Sequence, residues 1–175
     1  MPSNLRATLP AVILTVVSLC GCAMSFDAAD ATAHITPQNS HPYSVSVTLH
    51  LGPNQWLGAE DRYFPAMQQA VTDSINSSRV FNRVVPVGAS DYLLDARVLF
   101  MDARGSGDST SNIRILWSLQ QVSSGKVIWA QTFRTSCALT MKDSFVGLDR
   151  MYKAAACGIR ANASKALTEI GELDL

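Results

Sequence analysis

From Asp91 to Ser136 the chain writes the same pattern three times. Tyr92, Leu94, Ala96, Val98 and Phe100 alternate with polar or mixed residues, and so do Ile113, Ile115, Trp117 and Leu119, then Val127, Trp129 and Phe133. Side chains of a strand point to opposite faces in turn, so a period of two commits a segment to a half-buried sheet. The reading predicts strands over 91–101, 112–122 and 126–136, with a turn-rich loop at 104–111. The last two strands can be registered. Both core sets are odd-numbered, and matching them on one face requires an odd-length loop. Ser123-Ser124-Gly125 supplies three residues, with Gly125 suited to a left-handed backbone position. Trp117 and Trp129 then fall diagonally adjacent on the core face. Their regular place in the alternation reads as two core anchors rather than a ligand-stacking pair.

Around this block lie two further strands and two helices. Val45, Val47, Leu49 and Leu51 alternate with Ser44, Ser46, Thr48 and His50, which predicts a strand over 44–51. A helix follows over 61–78, with Asp61 as cap, Pro65 in the first turn and Phe64, Met67, Val71 and Ile75 along one stripe. Residues 83–87 form a short strand. The longest helix covers 148–173, its buried stripe running through Met151, Ala155, Ile159, Asn162 or Ala163, Ala166, Ile170 and Leu173. Several of these are alanines, so this helix can lie close to a sheet, and Gly158 and Asn162 suit close approach or a buried hydrogen bond. The order β-α-β-β-β-β-α predicts an α+β two-layer sandwich: a mostly antiparallel sheet of about five strands with both helices on one face.

The amino terminus has the layout of a secretory signal: Arg6, an apolar run from Leu9, then small residues. The run is too short to span a bilayer. It closes on Leu19-Cys20-Gly21-Cys22, which resembles the lipobox of bacterial lipoproteins and implies cleavage before Cys22 and acylation of it. In that pattern the cysteine carries a diacylglyceryl thioether and an amide-linked acyl (palmitoyl-type) chain, enough for stable anchoring. Ala23 and Met24 follow, without the aspartate that retains enteric lipoproteins in the inner membrane, so the expected address is the periplasmic face of the outer membrane. The division is then a signal peptide at 1–21, a lipidated and flexible tether at 22–42, rich in small polar residues, and a single domain at 43–175.

Chemistry is scarce. Lys and Arg number 14 and Asp and Glu number 14, so no basic field exists to attract nucleic acid. His34, His41 and His50 are the three histidines, and the rest of the fold lacks the usual general base. No nucleophile elbow or metal-ligand spacing occurs, so no enzyme activity, metal or cofactor is expected. Cys137 and Cys157, twenty apart, are either a disulfide formed in an oxidising compartment or two small buried thiols. Asp143, Asp149, Arg150 and Lys153 surround the start of the last helix, as helix-end electrostatics or as a polar contact surface. The sheet face away from the helices carries Leu99, Leu116 and Ile128 in a frame that includes Arg114 and Arg134. Such an apolar patch with a polar rim is a candidate partner-binding site.

The stretches SDYLLDARVLF, ILWSLQQVSSGKVIWAQTF and DSFVGLDRMYKAAACGIRANASKALTEI are similar to segments of small proteobacterial outer-membrane lipoproteins with an anticodon-binding-domain-like sandwich. That group includes curli-secretion-type lipoproteins and activators of penicillin-binding proteins. The resemblance implies fold more than role. The expected function is a non-enzymatic, protein-binding accessory of a cell-envelope complex, anchored by lipid. The alternative is a carrier or sensor of a small apolar or lipid ligand held near Trp117 and Trp129.

Overall fold

The computed structural model describes residues 26–52, 60–105 and 107–175, with 60–63 described by backbone alone. Cys22 and the signal segment lie outside what is described, and Asp61, expected to cap α2, lies within the helix, which starts at Glu60. The elements are α1 (Ala28–Ala31), β1 (His41–Leu51), α2 (Glu60–Ser78), β2 (Phe81–Val84), β3 (Tyr92–Arg104), β4 (Ser109–Gln121), β5 (Lys126–Leu139) and α3 (Gly147–Ile170). They build an α+β sandwich, with one five-stranded sheet in the order β2-β1-β3-β4-β5. No helix among the described residues is long and apolar enough to cross a membrane.

The sheet is mixed rather than mostly antiparallel. β1 runs parallel to both β2 and β3, while β3-β4 and β4-β5 are antiparallel hairpins. Parallel neighbours need a crossover, and α2 supplies it between β1 and β2. β1 separates β2 from β3, so the connection 85–91 must cross it. That connection lies over the first half of β1: Asp91 accepts from the Ser44 amide at 2.8 Å and from its hydroxyl at 2.6 Å, and Ser90 bonds Ser46 at 2.8 Å. Ser44 and Ser46 are therefore buried although they face away from the core.

Two one-residue bulges change side-chain parity. β3 pairs Val98 with Ile115 but Phe100 with Arg114, leaving Leu99 as the extra residue. An unpaired residue shifts everything beyond it to the other face. Met101 and Ala103 are consequently buried, and Phe100, expected in the core, points outward. In the β4-β5 hairpin the expected register holds from Leu119↔Trp129 to Ser109↔Leu139. Nearer the turn, Gln121 pairs with Lys126 around a four-residue loop, and the bulge at Ile128 restores the odd offset. Gly125 takes φ 68°, as the turn requires.

Residues 26–40 are not the flexible tether that their composition suggested. Phe26, Ala31 and Ala33 are buried in the main core. The Ser74 hydroxyl accepts from the Ala33 amide at 2.7 Å, and Ser77 donates to the Ala33 carbonyl. Farther on, the Asn39 amide donates to Gly171, and His41 lies within β1, its ring bonded to the Ile170 carbonyl at 2.9 Å. The small residues are there because α1 and the extended stretch after it pack against α2 and α3.

α3 crosses β4 and β5 closely. A Cβ on Gly158 would meet the Ser111 hydroxyl at 2.7 Å and the Ile113 side chain at 2.8 Å, so any larger residue would have to push these side chains aside. Trp117 is wholly buried and donates its indole N–H to Asn162 Oδ1 at 2.8 Å. The Asn162 amide donates in turn to the Phe133 carbonyl and the Thr135 hydroxyl, joining α3 to two strands. Cys137 and Cys157 are joined by a disulfide, with 5.9 Å between their Cα atoms, which fastens edge strand β5 to α3.

Candidate functional site on the outer sheet face

The helix-free face of β3, β4 and β5 presents two neighbouring cross-strand rows. One is Arg97–Leu116–Thr132 and the next is Phe100–Arg114–Arg134. Leu116 and Arg114 stand where the sequence placed them. The bulges rearrange the rest: Phe100 takes the outward position next to Arg114, while Leu99 is the half-buried bulge residue. Ile128 leaves the patch altogether. It lines a shallow pocket of about 200 Å³ with Tyr92, Gln121 and the carboxy-terminal Leu173–Leu175, at the far end of the hairpin.

Arg114 and Arg134 are direct cross-strand partners. Like charges placed opposite one another repel. Between Phe100 and this pair runs an open trough of about 490 Å³, also lined by Asn112 and Ser136. The Arg114 Nε is shielded from solvent and makes no hydrogen bond. The carboxylates on this face are engaged elsewhere: Asp95 accepts from Thr48 and His50, and Asp102 pairs with Arg104. Among the described residues no carboxylate pairs with Arg97, Arg114 or Arg134. The face is thus a cationic surface with two apolar side chains, Leu116 and Phe100, set in it. It has donors and charge for an anionic group.

Trp117 is a core anchor, not a ligand platform. Trp129 is half-buried and packs near Phe133, with ring centroids 6.4 Å apart. Among the described residues no three His, Cys, Asp or Glu side chains converge as a metal site would require. At the start of α3, Ser144 donates to Asp149, which also pairs with Lys153 at 3.0 Å. These contacts, Ser144 first and Lys153 second, hold the Asp149 carboxyl below its ordinary range, and Asp149 raises Lys153. Asp143 is lowered likewise by the Thr140 amide and hydroxyl. Arg150 is buried and donates to the Ser144 carbonyl. Sequence reasoning passed over what this polar frame holds up: Met141, Phe145, Val146 and Leu148 are all exposed. Met141, Phe145 and Val146 belong to a loop without period and Leu148 to the first turn of α3, so alternation could not flag them.

No family model matches the chain, and no curated protein matches it. Solved structures do. Protein XCC0632 from Xanthomonas campestris, of family DUF330, superposes with TM-score 0.60 at 15% identity, over 81% of this chain and 94% of that one. A candidate lipoprotein from Caulobacter crescentus gives 0.50 at 12% identity, over 71% and 88%. The hypothetical protein CT253 from Chlamydia trachomatis gives 0.50 at 7% identity, over 74% and 93%. At such identities the likeness is one of fold. It places the chain in an architecture found among small bacterial proteins, one of them a lipoprotein candidate.

Proposed function

We propose that this protein is a lipid-anchored, non-enzymatic accessory of a cell-envelope complex, which binds an acidic protein surface through the outer face of β3, β4 and β5. The carrying observation is the trio Arg97, Arg114 and Arg134, free of carboxylate partners among the described residues and set around Leu116 and Phe100. An apolar centre in a charged rim is the anatomy of a protein contact. A cross-strand arginine pair is costly in isolation and becomes favourable when a carboxylate arrives between the guanidinium groups. The anchor rests on Leu19-Cys20-Gly21-Cys22, in keeping with a fold shared with a lipoprotein candidate. Its proposed address is the periplasmic face of the outer membrane.

Crosslinked affinity capture from membranes tests this, with wild type, Leu116→Asp, Arg114→Glu/Arg134→Glu and Cys22→Ser compared. The expected result is one defined envelope partner, lost with either sheet-face variant while both melt as wild type does. Equal recovery with folded Leu116→Asp and Arg114→Glu/Arg134→Glu would overturn the site. Equal membrane fractionation of Cys22→Ser would overturn the anchor.

A further inference from the structure

We propose that the loop between β5 and α3 is a second membrane contact, its exposed apolar side chains entering the same lipid leaflet that carries the Cys22 acyl chains. The inference rests on the lipid-anchored reading above and adds an orientation to it. Its starting point is the buried amino-terminal segment. Phe26 is 7% exposed and belongs to the core, so the body reaches back at least that far and does not start after residue 42. Cys22 precedes Phe26 by four residues, which span at most about 14 Å when fully extended. The lipid anchor therefore holds the body against the bilayer rather than at the end of a long tether.

The pole that faces the lipid follows from the path of this segment along α3. Asn39 is bonded to Gly171, at the end of α3. The Asp30 carbonyl accepts from Arg160 at 3.1 Å, in its middle. Traced backwards, the chain heads for the amino-terminal half of α3. The β5–α3 loop is at that pole, as is the start of β4, where Ser111 donates to the Ala154 carbonyl.

At this pole Phe145 is 91% exposed, Met141 55%, Val146 47% and Leu148 45%. A floppy loop would fold such side chains back. This one is braced. Thr140 donates twice to Asp143, Ser144 donates to Asp149, and buried Arg150 donates to the Ser144 carbonyl through its side chain and to the Val146 carbonyl through its amide. Both carboxylates are thereby turned to partners within the loop and helix start, and Lys142 is a charge of the sign that suits headgroup phosphates. Apolar side chains held out beside a lipid anchor enter the boundary between headgroups and acyl chains, where each adds to the affinity of the acylated cysteine.

The test uses the full lipidated protein in phosphatidylcholine–phosphatidylglycerol vesicles, with and without brominated phosphatidylcholine. Phe145→Trp reports on this pole and Val122→Trp on the opposite one; both replace exposed residues, and wild type supplies the background of the three native tryptophans. The mass of the Cys22 peptide is measured in parallel. Acylated Cys22 with about twofold quenching of the Phe145→Trp signal, and none for Val122→Trp, is expected of a side chain at the acyl boundary. Acylated Cys22 with no quenching at Phe145→Trp would overturn this proposal alone and leave the tip to a protein. Unmodified Cys22 would overturn the anchor and, with it, the placement of this pole at a membrane.

Discussion

Asn162→Ala removes the side chain at which three hydrogen bonds between helix and sheet meet, the one to Trp117 buried. The Trp117 indole N–H loses its acceptor at 2.8 Å, the Phe133 carbonyl loses a donor at 3.0 Å and the Thr135 hydroxyl loses one at 3.2 Å. Thr135 keeps a partner in the Gly158 carbonyl, and Phe133, on an edge strand, is within reach of water. Trp117 has neither recourse, being wholly buried. Stranding such a donor costs about 1–3 kcal/mol. The space left by the amide adds up to about 1 kcal/mol. The expected loss is about 3 kcal/mol, read in urea unfolding as a lower midpoint with an unchanged slope. In thermal melting a loss of that size lowers Tm by about 10 °C for a domain of this length. Trp117→Phe, made alone and with Asn162→Ala, measures the coupling, expected at about 1 kcal/mol or more. Asn162→Asp keeps the acceptor for Trp117 but puts a carboxylate against the Phe133 carbonyl. Burial raises its folded-state pKa, so its stability relative to wild type is best below the ordinary carboxylate pKa and falls as pH rises through it. A loss under about 1 kcal/mol for Asn162→Ala, or strict additivity with Trp117→Phe, would refute the claim that this amide joins helix to sheet.

Removing the disulfide with Cys137→Ser/Cys157→Ser should cost about 3 kcal/mol for a loop of this size, and reductant should lower the melting temperature of wild type by a similar margin. Gly158→Ala forces a methyl against Ser111 and Ile113, so it should destabilise by about 1–3 kcal/mol in chemical unfolding despite its better helix propensity. The Asp91 carboxyl is held below 3.8, chiefly by the Ser44 hydroxyl and then by the Ser44 amide. Its contribution is thus present above that pH and fades as pH falls below it; Ser44→Ala should raise the Asp91 pKa in an NMR titration and flatten that acid limb.

Much of the fold was legible because alternation and helical stripes report burial directly. The β3–β5 block, both long helices and the core stripe of α3 follow from them, and so do the special places of Gly158 and Asn162. Strand direction left no comparable trace: Val45, Val47 and Leu49 face the core equally well beside a parallel or an antiparallel neighbour. Bulges are invisible to a parity argument because the extra residue looks like any other, which is why Phe100 and Ile128 were misassigned. Residues 26–40 were read as linker since Ala, Thr and Ser mark both solvated chain and tight packing, and one turn of helix is too short to show a period. In the candidate site, Leu116, Arg114 and Arg134 were visible from parity alone. Their direct pairing needed the register, and the apolar tip at Phe145 needed a view of the braced loop.

The bonds from Asn39 and His41 to Gly171 and Ile170 join residues that open the described chain to residues that close it, 129 positions apart in the case of His41. Strand β1, interior to the sheet, likewise waits for β2 and then for β3 before both of its edges are paired. Contacts of such long range slow folding, because the intervening chain must be ordered before they form. A chain delivered amino terminus first therefore cannot complete this core until its last helix has emerged. The topology itself keeps the polypeptide unfinished, and threadable, for as long as any of α3 remains behind.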